Sequence, residues 1–171
     1  LGLAVLTKGP VALLIALLTL GVYLTGNGGM KGYRAQQFVV IAICALIPVL
    51  AWLISAIVYY GLDYGKWFLS EFVMYQVRLF STEDADHGGP FYYHFIVLLV
   101  GCFPASVLLL QRARKRMELP ITTSDFRKWM RILFWVVLIL FSIVKTKIVH
   151  YSSLCYFPLT FLAAMQLAGS S

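Results

Sequence analysis

A chain of 171 residues that is 61% hydrophobic and 12% charged, with a mean hydropathy of +0.85, does not read as a soluble globular domain, which is nearer half apolar and a quarter charged. Its net charge of +7 would suggest nucleic acid in a soluble protein. Here the lysines and arginines cluster between apolar runs, which fits topology signals and contact with lipid phosphate and argues for no nucleic-acid partner.

The apolar runs far exceed the ~10 residues of a barrel strand and do not alternate, so the expected fold is all-α: a polytopic bundle of transmembrane helices. In chain order, residues 1–7 form a short apolar lead-in that reads as the tail of an earlier helix. There is no initiator methionine and no basic flank before an apolar core, so no signal peptide is predicted and the chain reads as a fragment from inside a larger protein. Five spans follow, at about 11–25, 37–60, 91–111, 129–145 and 151–168. The first, fourth and fifth are near the roughly 17-residue minimum for a span. Pro10 and Pro90 each follow glycine and suit a first helical turn. Pro48, Pro104 and Pro158 fall within spans and are expected to kink them. Between the second and third spans, residues 66–80 read as a mostly apolar helix carrying a narrow polar stripe, Lys66, Ser70, Glu71 and Arg78. Such a helix is expected to lie in the membrane interface with its aromatic residues at headgroup level. An acidic stretch, Glu83 to Asp86, and then His87-Gly88-Gly89-Pro90 close this loop.

The connecting segments sort into two sides. One holds 26–36 and 111–131, with nine basic residues and two acids; the other holds 1–10, 61–90 and 145–150, with five of each. The positive-inside rule puts the first side in the cytoplasm. Lys8, the loop 61–90 and the turn Lys145–Tyr151 then all face the opposite side, where they can converge.

Each polar residue on that side has a plain and a sharper reading. Lys8 is either a lysine snorkelling from a helix end or an anion ligand at a helix N-terminus. Arg78 is either a headgroup contact or a bidentate phosphate clamp. Asp86 and His87 are either solvated loop residues or contacts to a donor or a divalent metal. His94 reads as structural. Lys145 and Lys147 are either interfacial anchors or, with the hydroxyl of Tyr151, stabilisers of a departing phosphate. No carboxylate pair has the spacing of a general base. Cys44, Cys102 and Cys155 lie in apolar runs without metal spacing and read as small apolar residues.

Three segments carry a family resemblance. Gly2-Leu3-Ala4-Val5-Leu6-Thr7-Lys8-Gly9-Pro10 resembles the G-x-A-x-L-T-K-G-P segment of bacterial glycosyltransferases of the dolichyl-phosphate-mannose-protein mannosyltransferase superfamily. Arg78-Leu79-Phe80, then His87 and Pro90-Phe91-Tyr92-Tyr93, resembles their R-x-F…H-x-x-P-F-x-Y-Y segment. Phe141-Ser142 to Pro158, with Lys145, Lys147 and Tyr151, is similar to their F-S-x-x-K-x-K-x-x-x-Y segment. The most similar members are the aminoarabinose transferases that modify lipid A. The resemblance implies a GT-C fold and transfer of a sugar from a polyprenyl-phosphate donor to an acceptor hydroxyl on a lipid, glycan or protein. It places such an enzyme in the bacterial inner membrane with its site facing the periplasm. It assigns Lys8, Arg78, Lys145, Lys147 and Tyr151 to the donor phosphate, and His87, with Asp86, to a nearby contact or a divalent metal. The family's acidic catalytic residue lies upstream of anything present in this chain. The whole of 1–171 is thus expected to be part of one transmembrane glycosyltransferase domain, inactive alone. A transporter or flippase of lipid-linked sugars is the competing reading. It predicts polar span centres and inverted repeats, and neither is seen.

Overall fold

The computed structural model describes residues 1–29, 34–81, 88–110 and 121–168. These are helical almost throughout, as the apolar periodicity requires; the one β-type pairing among them is an isolated antiparallel bridge between Gly88 and Thr146. They form two compact units, divided at Phe80–Ser81.

The first unit begins with α1 (Gly2–Lys8), α2 (Val11–Gly26) and α3 (Ala35–Tyr60). The lead-in is a short helix in its own right, ended at Gly9, whose φ of 71° few other residues adopt without strain. Pro10 then caps α2. α3 continues through Pro48. α1 packs on it at that point: a Cβ on Gly2 would run into the Ala45 carbonyl and the Pro48 ring. Gly2→Ala is therefore expected to cost about 1–3 kcal/mol by overpacking, read as a lower thermal midpoint of the detergent-solubilised protein. An unchanged midpoint would show that α1 does not approach α3 this closely.

Gly61, at φ 91°, turns the chain from α3 into α4 (Leu62–Ser81). The predicted interfacial helix is thus longer by about a turn at its start than the 66–80 expected. Phe68 and Phe72 face back onto Trp52 of α3, with ring centroids 5.0 and 6.3 Å away, and Gly65 lies against Ile57. The rest of the described α4 surface keeps large apolar side chains exposed, including Trp67, Val73 and Met74.

The second unit holds α5 (Tyr93–Gly101), α6 (Ala105–Leu110), α7 (Ile121–Ile143), a 3-10 turn (Val149–Cys155) and α8 (Tyr156–Ala168). Three sequence expectations shift here. The span expected at 91–111 is two short helices, because the chain leaves the helix at Cys102–Pro104, where the Phe103–Pro104 bond is cis. Pro104 breaks this segment rather than kinking it, consistent with its missing N–H and the restriction it puts on Phe103. The span expected at 129–145 begins by Ile121, so Arg127, Lys128 and Arg131 ride on its first turns rather than in a loop. Asp125 pairs with Lys128 at 3.6 Å there, on an exposed face. The span expected at 151–168 opens as a 3-10 turn, and Pro158 falls in the first turn of α8, where it needs no kink. The core of this unit is Leu98, Val137, Leu138, Phe141, Cys155, Leu159 and Ala163. His94, read from the sequence as structural, is fully buried among them, and neither ring nitrogen has a hydrogen-bond partner among the described residues.

Among the described residues one helix, Gln36–Tyr60, is long and apolar enough to cross a membrane by length and composition, and Val11–Gly26 is a shorter apolar helix.

Candidate functional site

The polar turn after α7 is built around a helix end. The last carbonyls of any helix lack intrahelical donors. In α7 the Leu140 carbonyl accepts from the Val144 N–H at 3.2 Å. The following ones are met by Lys147, whose ammonium turns back and donates to the Phe141, Ser142 and Val144 carbonyls at 3.1, 2.7 and 2.6 Å. A lysine ammonium has three donors, so this set fills them. Lys147 is 6% exposed, and burial pushes its pKa below the usual lysine range. The cation also lies where the helix dipole is negative. The expectation that Lys147 contacts phosphate thus meets a geometry in which its charge is committed to the end of α7.

Lys145, two residues earlier, is exposed, while Thr146 between them is fully buried and pairs with Gly88. That bridge joins two segments far apart in sequence, the His-Gly-Gly-Pro loop and the Lys-Thr-Lys turn. Gly89 follows directly against the Lys147 stem. The sequence shows two adjacent glycines before Pro90, but not the segment they approach.

Tyr151 is half-buried in the 3-10 turn. Its ring stacks on Phe141 at 5.1 Å and 30°, and His150 meets it edge-on at 5.0 Å. Its backbone N–H donates to the Ile148 carbonyl at 3.0 Å. The ring orientation is therefore set by α7, the helix that Lys147 also closes. Ser142 is buried, with no partner for its hydroxyl among the described residues. Apart from its place in the F-S-x-x-K-like segment, no sequence signal distinguished it from an ordinary small helix residue.

In the first unit, Lys8 occupies the last turn of α1, exposed, three residues before α2 begins. Its charge complements the dipole at the C-terminal end of α1, and it stands just before the N-terminus of α2, the helix start that the anion-ligand reading invokes. Arg78 is exposed in the last turn of α4. Asp86 and His87 lie outside the described residues. Among the described residues no three His, Cys, Asp or Glu side chains gather as metal ligands.

No family model matches the chain, and no solved structure matches it. Curated relatives do. An undecaprenyl phosphate-alpha-4-amino-4-deoxy-L-arabinose arabinosyl transferase of Erwinia tasmaniensis is 30% identical over 178 aligned positions, covering 99% of this chain and 30% of its own length. Transferases of the same name from Pectobacterium carotovorum (34% identical, 63% of this chain, 18% of theirs) and Pseudomonas aeruginosa (29%, 94% and 28%) are similar. The chain thus spans less than a third of the length of these relatives. The Erwinia tasmaniensis alignment covers nearly the whole chain, and with it the Lys8, Arg78 and Lys145–Tyr151 segments, and the resemblance read from those motifs is borne out: the chain belongs to the family of the undecaprenyl phosphate-aminoarabinose arabinosyl transferases, matching a segment of it.

Proposed function

We propose that this chain forms the donor-phosphate region of a multi-pass bacterial inner-membrane glycosyltransferase. The enzyme moves an aminopentose from undecaprenyl phosphate to an acceptor hydroxyl, with lipid A the acceptor that the resemblance implies. The observation that carries this reading is the pairing of Gly88 with Thr146. It joins two of the three family-like segments and leaves Lys145 exposed beside them. An exposed cation and, six residues on, a tyrosine whose ring is held by stacking are suitable partners for a phosphate that gains charge as the glycosidic bond breaks. Lys145 and Tyr151 take the direct role. Lys8 and Arg78 are proposed as further phosphate contacts on the strength of the motif match. Asp86 and His87 keep their proposed place near the donor on the same ground.

The test is transfer from undecaprenyl phosphate-linked 4-amino-4-deoxy-arabinose to lipid A by the purified full-length protein in detergent. The expected product is glycosylated lipid A with release of undecaprenyl phosphate. Translocation of the intact donor in vesicles, with no product in detergent, would instead establish the flippase.

The charge asymmetry of the connecting segments supports a topology with the Lys145 turn on the periplasmic face. Cysteines introduced singly at positions 114 and 84 of a cysteine-free protein are expected to label from opposite sides of the membrane. Labelling of both by an impermeant reagent in spheroplasts would refute that topology.

A further inference from the structure

Lys147 spends its ammonium on three main-chain carbonyls, and its aliphatic stem has a second task. A Cβ built on Gly89 would lie 2.9 Å from Lys147 Cγ, 3.4 Å from its Cβ and 3.8 Å from Tyr93 Cδ2. Only a residue without a side chain fits there without displacing the lysine. One residue earlier, Gly88 pairs with Thr146, the neighbour of Lys147. One side chain therefore touches three things: the C-terminal end of α7, the turn that carries Lys145, and the loop 88–90 that leads into α5.

We propose that Lys147 is a positioning residue: its ammonium closes α7 and its stem seats Gly89, so that the loop 88–90 and the turn 145–146 are held as one piece from which Lys145 reaches the donor phosphate. This rests on the reading of that turn as a donor-phosphate site. Three charge-assisted hydrogen bonds hold the lysine in place, and a buried cation so satisfied resists being pulled out, because leaving would strand the carbonyls. The sequence pattern Lys-x-Lys, which suggests two equivalent cations, is thereby split into one that contacts and one that holds.

The test uses the full-length protein and a readout independent of activity. Opposed residues of an antiparallel bridge have Cα atoms about 4.5–5.5 Å apart, within disulfide range. Gly88→Cys with Thr146→Cys is expected to form a disulfide on mild oxidation in membranes, identified by peptide mapping. Adding Lys147→Ala is expected to reduce its yield severalfold. Gly89→Ala is expected to lower both the disulfide yield and kcat/KM, by roughly ten-fold for the latter, because its Cβ strikes the lysine stem. In the Lys147→Ala background, where Cγ is gone, Gly89→Ala is expected to add little, a coupling that two contacting residues should show. Lys147→Met keeps the stem without the donors. Gly89→Ala should remain damaging in that background, while Lys147→Met alone lowers the thermal midpoint.

A disulfide that fails to form in the otherwise unmodified protein, or one whose yield is indifferent to Lys147→Ala, would overturn the proposal. So would additive effects of Gly89→Ala and Lys147→Ala combined with a loss confined to donor affinity, the pattern of a direct phosphate ligand. If the unmodified protein transfers no sugar but the disulfide behaves as described, the functional reading fails while the clamp stands.

Discussion

Lys145→Ala and Tyr151→Phe are each expected to slow sugar transfer about a hundred-fold in single turnover at saturating undecaprenyl phosphate-linked sugar. The reason is where charge develops. As the glycosidic bond breaks, the phosphate of the leaving lipid takes up negative charge, and donors already aimed at it stabilise the transition state more than the ground state. Losing one such preorganised donor costs on the order of 3 kcal/mol. Tyr151 has its ring held by stacking on Phe141 at 5.1 Å, so it need not be ordered at the moment of reaction, and Lys145 is exposed on the turn, where it can reach a phosphate. Donor affinity should fall much less than rate. If both variants transfer at the unmodified rate, the turn is a structural element and the phosphate is held elsewhere. A variant whose affinity collapses while its bound turnover is unchanged would make that residue a ground-state ligand only.

The second large effect is expected at Arg78. A guanidinium holds two phosphate oxygens at once through parallel N–H donors, which a lysine ammonium, a point charge, cannot reproduce. Arg78→Lys keeps the charge and should still weaken binding of undecaprenyl phosphate by roughly ten-fold or more, since a hydrogen bond to a charged group contributes about 1.5–3 kcal/mol. The measurement is equilibrium binding of undecaprenyl phosphate to the full-length protein, at two salt concentrations. A headgroup anchor predicts something different: unchanged lipid-phosphate affinity, since lysine snorkels as well as arginine. That result would remove Arg78 from the donor site without touching the assignment of Lys145 and Tyr151.

Much of this was legible in the residues alone. The all-α character follows from apolar runs too long and too uniform for strands, and it holds wherever the chain is described. The glycines at 9 and 61 terminate α1 and α3 at positive φ, as backbone sterics lead one to expect. The three motif segments predict the family, and the relatives named as arabinosyl transferases agree. Helix boundaries were less legible. The 91–111 run looks continuous because hydropathy ignores the backbone, whereas Pro104 cannot supply the N–H that a continuing helix needs. The start of α7 was missed for the opposite reason: Thr122, Thr123, Ser124 and Asp125 are polar enough to look like loop, yet such residues cost a helix only some tenths of a kcal/mol each, about 0.7 at most.

Composition and motif order, then, determined by themselves that this is a helical, apolar chain of the aminoarabinose transferase kind, with cations at Lys8, Arg78, Lys145 and Lys147. Those features are local, or are sums over many residues, and survive any particular packing. Which lysine of the turn is buried and which is exposed was decided only by tertiary structure. Lys145 and Lys147 are the same residue type two positions apart, and nothing in their sequence neighbourhood separates them. What separates them is the end of α7, which has carbonyls without donors, and the bridge from Gly88 to Thr146, which closes the space around Lys147 and leaves Lys145 outside it. The first is a local closure within six residues, but the second joins residues more than fifty positions apart, and such a contact exists only once the chain has folded.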